Sequence, residues 1–182
     1  MRSEQSNLKE DKDIFKDIAN NILSNNEELD NILEDSSIYW NDDLEFLLGI
    51  IIKNINFTQE SDDKVQVDQI YKSNDDKNFA HELLRKTILN SERNDAIIGE
   101  FLQKWDLNRI AFLDKIILHL ALCELLEMPE IPVKVAINEY LDIAKYYSTQ
   151  KSNNFINGIL DAVYNQHKNA GTLNKTGKGL IC

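Results

Sequence analysis

The chain has 182 residues, of which 42% are hydrophobic and 28% charged, so it is long enough for one domain with an apolar core. Its formal net charge of −11 argues against a protein that coats nucleic acid without specificity. With only six glycines and two prolines it carries few turn signals, which favours long helices over short strands.

Charge is distributed unevenly along the chain. Residues 1–90 hold ten Lys and Arg against twenty Asp and Glu, whereas residues 91–182 hold ten against eleven. The last part, 131–182, has six Lys against three acidic residues. We therefore expect any contact with a polyanion to lie near the C-terminal end.

The first third of the chain shows helical spacing of its apolar residues. Three- and four-residue repeats predict amphipathic helices over 11–25 and 39–56, with a shorter helix around 27–33. Residues 58–74 are acidic and polar and break this period, so they are predicted to form a linker. Residues 1–57 are accordingly assigned to an N-terminal helical bundle or extension.

Helical spacing resumes at Phe79 and leads to the most apolar stretch of the chain. Asp106 is a predicted N-cap for a helix over 107–126, which is apolar on more than one face. Such a helix is expected to be central and covered on all sides. A clearly amphipathic helix is predicted over 132–147, with Pro132 in its first turn.

The last predicted helix follows a short turn. Ser152 is its predicted N-cap, and Gly158 is expected to let another helix approach closely, since glycine disfavours a helix interior. No strand pattern of useful length is present. The sequence predicts an all-α fold of two packed small helical bundles, with the second domain over 75–168 and a basic, flexible tail over 169–182.

Few residues suggest catalysis or metal binding. The three histidines are scattered, and no glycine-rich phosphate loop or activated Ser or Cys pattern is present. Asp114 and Glu124 lie on the central helix, and Glu139 lies on the next one. These carboxylates either include a catalytic pair or face solvent or pair with His119, Lys115 or Lys134. The structural interpretation of these carboxylates is favoured, so no enzymatic activity, cofactor or metal is predicted.

Aromatic residues beside lysines are more suggestive of function. Tyr147 and Phe155 lie close in sequence to Lys145 and Lys151. Aromatic rings can stack on unpaired bases while lysine contacts phosphate. The alternative is that both rings are core residues, because both fall on the apolar stripe of their helix.

The cysteines and the start of the chain predict a reduced, cytoplasmic setting. Cys123 lies in an apolar run and Cys182 is the last residue, which is typical of unpaired thiols. The first residues lack the apolar segment of a signal peptide. The longest apolar runs are too short to span a membrane.

An ordered set of residues in 131–163 is more specific than these patterns. It comprises Pro132, Lys134, the block Val135-Ala136-Ile137-Asn138-Glu139, the pair Ala144-Lys145, and Phe155-Ile156-Asn157-Gly158-Ile159-Leu160-Asp161. This set resembles the C-terminal signature of the NusB family, and residues 106–126 resemble the family's buried helix. The resemblance covers roughly 79–165.

The resemblance implies an all-helical, non-enzymatic RNA-binding factor of transcription antitermination. Proteins of this family pair with the ribosomal protein NusE and bind boxA RNA of ribosomal RNA operons. The complex then joins NusA, NusG and RNA polymerase. These partners are expectations for this chain.

The resemblance also implies site residues. Asp114 falls at an acidic position that faces NusE, and Tyr147 and Lys151, with Phe155 just after, fall at positions near the RNA. With the neighbouring Lys145 and Ser152, these are the expected RNA-binding residues. The family often has an acid at the position of Lys151, so lysine here favours phosphate.

The start of the chain departs from the family. Typical members open with an arginine-rich helix, whereas Lys9, Lys12 and Lys16 are diluted here by acidic residues. The run 39–46 and the tail 177–180 resemble a long-form branch, so an N-terminally shortened product with weakened RNA affinity is our hypothesis. Two alternatives are a protein-interaction module that has lost RNA binding, and a detached domain of a ribosomal RNA cytosine methyltransferase. No S-adenosylmethionine-binding pattern follows to support the latter.

Overall fold

The structure, a computed structural model, describes residues 7–40, 42–62, 71, 73–102 and 109–180. Within these ranges the chain forms eight α-helices and no strand, which confirms the predicted all-α fold class. The chain divides into two units, Met1–Lys72 and Ser73–Cys182. No helix in the described ranges is long and apolar enough to cross a membrane.

The described residues of unit 1 form three α-helices. They are α1 (Leu8–Ile18), which continues into a π-helical turn (Ala19–Leu23), α2 (Glu27–Ser36) and α3 (Asp43–Phe57), with a 3₁₀ turn (Ile38–Trp40) between the last two. In the described part of this unit, Ala19 and Leu48 are the buried apolar side chains, whereas Phe57 is 73% exposed. Helix packing within unit 1 therefore buries little apolar surface.

Polar contacts organise the ends of the helices in unit 1. Asn7 and Asn26 cap α1 and α2, because each side-chain oxygen accepts a hydrogen bond from a backbone N–H of the first turn. Lys12 Nζ donates to the backbone oxygen of Asn56 at 3.0 Å and also to that of Thr58. These contacts tie α1 to the C-terminal end of α3, where the helix dipole favours a cation.

The described residues of unit 2 form five α-helices and a final short turn. They are α4 (Asn74–Leu89), α5 (Ser91–Phe101), α6 (Phe112–Glu127), α7 (Val133–Tyr147), α8 (Gln150–Asn169) and a 3₁₀ turn (Gly177–Leu180). The start of α4 is set by a capping box, in which Ser73 and Asp76 each accept the other's backbone N–H, at 3.2 and 2.9 Å. The helix therefore begins before Phe79, where its apolar spacing first becomes visible.

Helix α6 is the centre of unit 2. It packs against α4, α5, α7 and α8, and nine of its sixteen residues are buried. The predicted central position is confirmed, but the helix is not covered on all sides, because Phe112 and Ile116 are 77% and 39% exposed. Helix α6 begins at Phe112 rather than at residue 107. The predicted N-cap Asp106 and the start of that range, 107–108, lie outside the described residues.

A polar link joins α5 to α6. Lys115 Nζ donates to Asp95 Oδ2 at 2.9 Å, and His119 Nε2 lies 2.8 Å from Asp95 Oδ1. Burial acts to raise the pKa of the Asp95 carboxyl, but the hydrogen bonds and positive charge from Lys115 and His119 outweigh it and hold the pKa below its usual range.

The C-terminal segment differs from the expected flexible tail. After α8 ends at Asn169, the chain returns to the turn between α6 and α7, where Thr176 N donates to the backbone oxygen of Pro129 at 2.9 Å. Leu173 packs against the core of unit 2. The segment is anchored because it carries both an apolar side chain and backbone donors that find partners. Cys182 lies outside the described residues.

Asp95→Asn is expected to lower the free energy of unfolding by about 1 kcal/mol. The asparagine amide lacks the negative charge that interacts with Lys115 and His119, and partial exposure to solvent keeps the effect small. The folded-state pKa of Asp95 lies below its ordinary value of 3.8. The stabilisation is therefore complete above that ordinary value and is lost as pH falls through the folded-state pKa. Urea denaturation of both proteins, from pH 7 to the lowest pH at which both fold, measures the difference.

Asp142→Asn is the matched control, since Asp142 pairs with Lys145 on the exposed surface of α7. That variant is expected to leave the free energy of unfolding nearly unchanged, because water and salt screen an exposed ion pair. Two outcomes would contradict the role of the α5–α6 link. One is an equal loss of unfolding free energy in both variants, and the other is a loss in Asp95→Asn that does not become smaller in acid.

Candidate functional site

A cleft of about 790 Å³ lies on unit 2 between the end of α5, the start of α6 and one face of α8. Its lining combines two aromatic rings, two cations, a carboxylate, an amide and small or apolar side chains: Phe101, Leu102, Arg109, Ile110, Ala111, Asp114, Lys151, Ser152, Asn154, Phe155, Gly158, Ile159 and Ala162. The cations Arg109 and Lys151 are exposed. The cleft therefore offers apolar and aromatic surface beside positive charge.

Asp114 lies in the first turn of α6 and is buried, with 5% of its surface exposed. Ser148, the C-cap residue directly after α7, donates a hydrogen bond from its Oγ to Asp114 Oδ1. The N-terminal end of a helix also favours a negative charge. Asp114 thus joins α6 to α7 and lines the cleft with little exposed surface, which leaves little of the carboxylate to meet a protein partner directly.

The central-helix carboxylates do not have the partners that the sequence suggested. Asp114 is bonded to Ser148, whereas Glu124 accepts a hydrogen bond from the hydroxyl of Tyr140 at 2.7 Å. Lys115 and His119 instead meet Asp95. The expectation that Asp114 and Glu124 face solvent or pair with His119, Lys115 or Lys134 is wrong, because both carboxyls point into the unit.

Glu124 is buried on α6, and burial raises the pKa of its carboxyl, against the opposing effects of Tyr140 and Lys175. Burial and the nearby Glu124 also raise the pKa of the Tyr140 hydroxyl. Ten residues of helix separate Glu124 from Asp114, which corresponds to roughly 15 Å along the axis. The two carboxyls therefore do not form a pair that could share a proton across one substrate.

Three of the expected RNA-binding residues lie in the first turns of α8. Lys151 is exposed on the cleft, and Phe155 is half-buried, lining the cleft while packing against the core. Ser152 is 9% exposed, and its hydroxyl lies 3.0 Å from Thr149 Oγ1. Thr149, rather than Ser152, is the N-cap, since its hydroxyl accepts the backbone N–H of Ser152 at 3.1 Å.

The other two expected residues do not line the cleft. Lys145 is exposed on α7 and pairs with Asp142, a contact that raises the pKa of its ammonium group. Tyr147 is the last residue of α7 and is half-buried. The cleft thus brings together Lys151, Ser152 and Phe155, and leaves Lys145 and Tyr147 outside its lining.

Sequence reasoning missed Phe101 and Arg109. They precede Phe155 by about half of unit 2 and reach the cleft only because α5 and α6 pack beside α8. Phe101 fits the apolar spacing of a core residue, and Arg109 lies between two helices. Neither carries a local signal that would have identified it.

Gly158 does not mark a close helix crossing. A Cβ built at Gly158 meets nothing within 4 Å, and the residue is exposed on the wall of the cleft. The expectation of a close approach is wrong, because a helical glycine can also lie beside open space. Its effect here is to widen the cleft.

Asp114→Lys is expected to lower the free energy of unfolding by about 3 kcal/mol or more, because it replaces a buried, hydrogen-bonded carboxylate by an unpaired charge. Asp114→Asn is the matched control. Its amide oxygen still accepts the Ser148 hydrogen bond, so its loss is expected to be about 1 kcal/mol. Urea denaturation compares the two. Equal stability of Asp114→Lys and the wild type would show that the side chain reaches solvent.

Gly158→Ala is expected to raise the free energy of unfolding by up to about 1 kcal/mol, because alanine favours a helix interior and its Cβ meets no neighbour. Gly171→Ala is the matched control. Gly171 has a φ of +65°, so alanine is strained there and is expected to destabilise the chain by about 1 kcal/mol. Thermal denaturation of both variants measures these changes in stability. A lower melting temperature of Gly158→Ala than of the wild type would support the original expectation of a close helix crossing at Gly158.

The comparisons with known proteins agree on one family. The profile of the NusB family matches residues 44–165, which is more than half of the chain. The "Transcription antitermination protein NusB" of Chloroherpeton thalassium is 44% identical over 105 residues, covering 58% of this chain and 50% of that protein. The protein of the same name from Salinibacter ruber is 43% identical over 105 residues, covering 58% and 66%.

A further curated protein and a solved structure are also similar to this chain. The NusB protein of Alkaliphilus oremlandii is 46% identical over 84 residues, covering 46% of this chain and 61% of that protein. A solved structure of T. maritima NusB is 28% identical, with a TM-score of 0.49 over 90% of this chain and 94% of that one. The matched part thus spans half to two thirds of the length of the three curated relatives. With the family profile matched over residues 44–165, this chain belongs to the NusB family.

Proposed function

We propose that this chain is a non-enzymatic transcription antitermination factor that acts in the cytoplasm, pairing with NusE on boxA RNA of ribosomal RNA operons. Membership of the NusB family and the names of its relatives support this proposal. NusA, NusG and RNA polymerase are the proposed partners in the larger complex. The observation that carries the proposal is the cleft of unit 2, which combines aromatic surface with cations.

The chemistry of the cleft is suited to single-stranded RNA. Phe155 presents part of its ring to the cleft while its other side packs on the core, which fixes its orientation. A fixed ring is a platform on which an unpaired base can stack. Lys151 lies one helical turn before it on α8 and is exposed, so its ammonium group can reach a phosphate.

We assign the contact with NusE to the N-terminal end of α6, which lies beside the cleft. Asp114 holds the end of α7 through Ser148, so its proposed role is to position this edge rather than to form an exposed ion pair. Phe112, two residues before Asp114 in the same first turn of α6, is 77% exposed and gives this edge an apolar side chain. An exposed ring beside a fixed polar contact is typical of a protein interface.

A specific observation favours the alternative, a protein-interaction module that has lost RNA binding. Two of the three lysines of α1 are used inside unit 1, since Lys12 donates to the end of α3 and Lys16 pairs with Asp13 at 3.5 Å. Residues 1–90 carry twenty acidic against ten basic side chains. This part of the chain therefore offers little attraction for phosphate.

The test is a fluorescence-anisotropy titration of a labelled boxA RNA, with and without NusE, at two salt concentrations. We expect binding that is tighter with NusE, weaker in high salt and stronger than binding of a scrambled RNA. Phe155→Leu keeps an apolar side chain but removes the ring, and is expected to weaken binding about tenfold. Lys151→Gln is expected to reduce the slope of log K against log salt by about 0.7.

Lys134→Gln is the matched control, because Lys134 is exposed in the first turn of α7 and does not line the cleft. It removes the same charge from the same unit and is expected to leave the slope unchanged. Absence of RNA binding even with NusE present would reject the RNA-binding function and leave the protein-interaction module. Equal effects of the Lys134 and Lys151 variants would reject the cleft as the RNA site.

A further inference from the structure

The chain reverses direction at the end of α8. Gly171 N donates to the backbone oxygen of Lys168 at 3.2 Å, and Thr172 N donates to that of His167 at 3.0 Å. This pair of hydrogen bonds, with Gly171 at a φ of +65°, is a Schellman motif. The motif ends the helix and directs the following residues back along unit 2.

The residues after this reversal, 172–180, form what we call the C-terminal strap. Leu173 packs against the core, and Thr176 N donates to the backbone oxygen of Pro129 at 2.9 Å. Gly179 N then donates to the backbone oxygen of Thr176 at 2.9 Å, which closes a 3₁₀ turn. The strap thus crosses the α6–α7 turn, residues 128–132, with both apolar and backbone contacts.

Two glycines of the strap serve different purposes. Gly177 has a φ of +55°, a backbone conformation that favours glycine. Gly179 is buried, and a Cβ at this position would lie 2.1 Å from the backbone oxygen of Pro129. Because that atom belongs to the backbone, the strap could accept a larger residue only by moving away from the turn. Lys178, between the two glycines, is exposed.

Lys175 adds a polar contact at the end of α6. Its Nζ donates to the backbone oxygen of Met128 at 3.1 Å and to that of Glu124 at 3.4 Å. Lys86 Nζ on α4 donates to the backbone oxygen of Glu127 at 2.9 Å. The last carbonyls of a helix have no partner within it and carry the negative end of its dipole, so cations stabilise them.

We propose that the C-terminal strap is a built-in latch of unit 2. It holds the α6–α7 turn through the Thr176–Pro129 hydrogen bond, beside which Gly179 permits close approach, and it caps α6 through Lys175. This role is independent of the proposed RNA function. The backbone conformation of Gly177 and the close approach at Gly179 account for the Gly-Lys-Gly pattern at 177–179. Lys175 stabilises the fold and is not proposed to bind a polyanion. Burial lowers the pKa of Lys175, against the opposing effect of Glu124, as expected for an inward-facing ammonium group.

Amide hydrogen exchange, measured by NMR on the full chain, tests the latch. In Gly179→Ala we expect exchange at Thr176 and Ile131 to become about tenfold faster or more, because the strap leaves the turn. The Ile131 amide reports on the turn itself, since it donates to the backbone oxygen of Met128. The melting temperature is expected to fall by about 4 °C.

Lys178→Ala is the matched control and is expected to leave both amides unchanged. Lys175→Met keeps the length of the side chain but removes its donors, and is expected to speed exchange at the same two amides. If Gly179→Ala does not fold, Lys175→Met decides the question. Wild-type exchange at Thr176 in both Gly179→Ala and Lys175→Met, or an equal loss of protection in Lys178→Ala, would overturn the proposal.

Discussion

The structure of unit 2 depends on the burial of most of α6 between four other helices. A helix covered by four others must satisfy its polar side chains with groups from those neighbours, because an unpaired polar group in a low-dielectric interior is costly. Each buried polar side chain of α6 therefore marks a contact with another element: Asp114 with Ser148, His119 with Asp95, and Glu124 with Tyr140. Apolar burial brings the helices together, while these directional contacts fix how they are aligned.

The two ends of α6 serve different purposes for the same electrostatic reason. The N-terminal end favours the carboxylate of Asp114 and lies at the cleft, beside the exposed cations of the lining. The C-terminal end exposes carbonyl oxygens, which receive the ammonium groups of Lys86 and Lys175 from two distant segments. One end is thus available to a ligand, whereas the other is closed by the fold itself.

The net charge of the chain gives little guidance to the chemistry of the cleft. Most of the excess negative charge lies in residues 1–90, while residues 91–182 are nearly neutral. At physiological salt a charge acts over about 8 Å, so local arrangement outweighs the total. Phe155 and Lys151 lie within one turn of the same helix, and that local combination is what the proposed RNA contact requires.

The sequence alone determined the all-α class, the central position of α6 and the family, because apolar periodicity and an ordered motif are properties of local sequence. It also placed Lys151 and Phe155 near each other, since only four residues of sequence separate them, although Lys151 was assigned to the turn before the helix rather than to the helix itself. Only the tertiary structure decided the inward direction of Asp114, the contribution of Phe101 and Arg109 to the cleft, the open space at Gly158 and the anchoring of residues 172–180. These features depend on contacts between segments far apart in the chain, for which a single sequence carries no local signal.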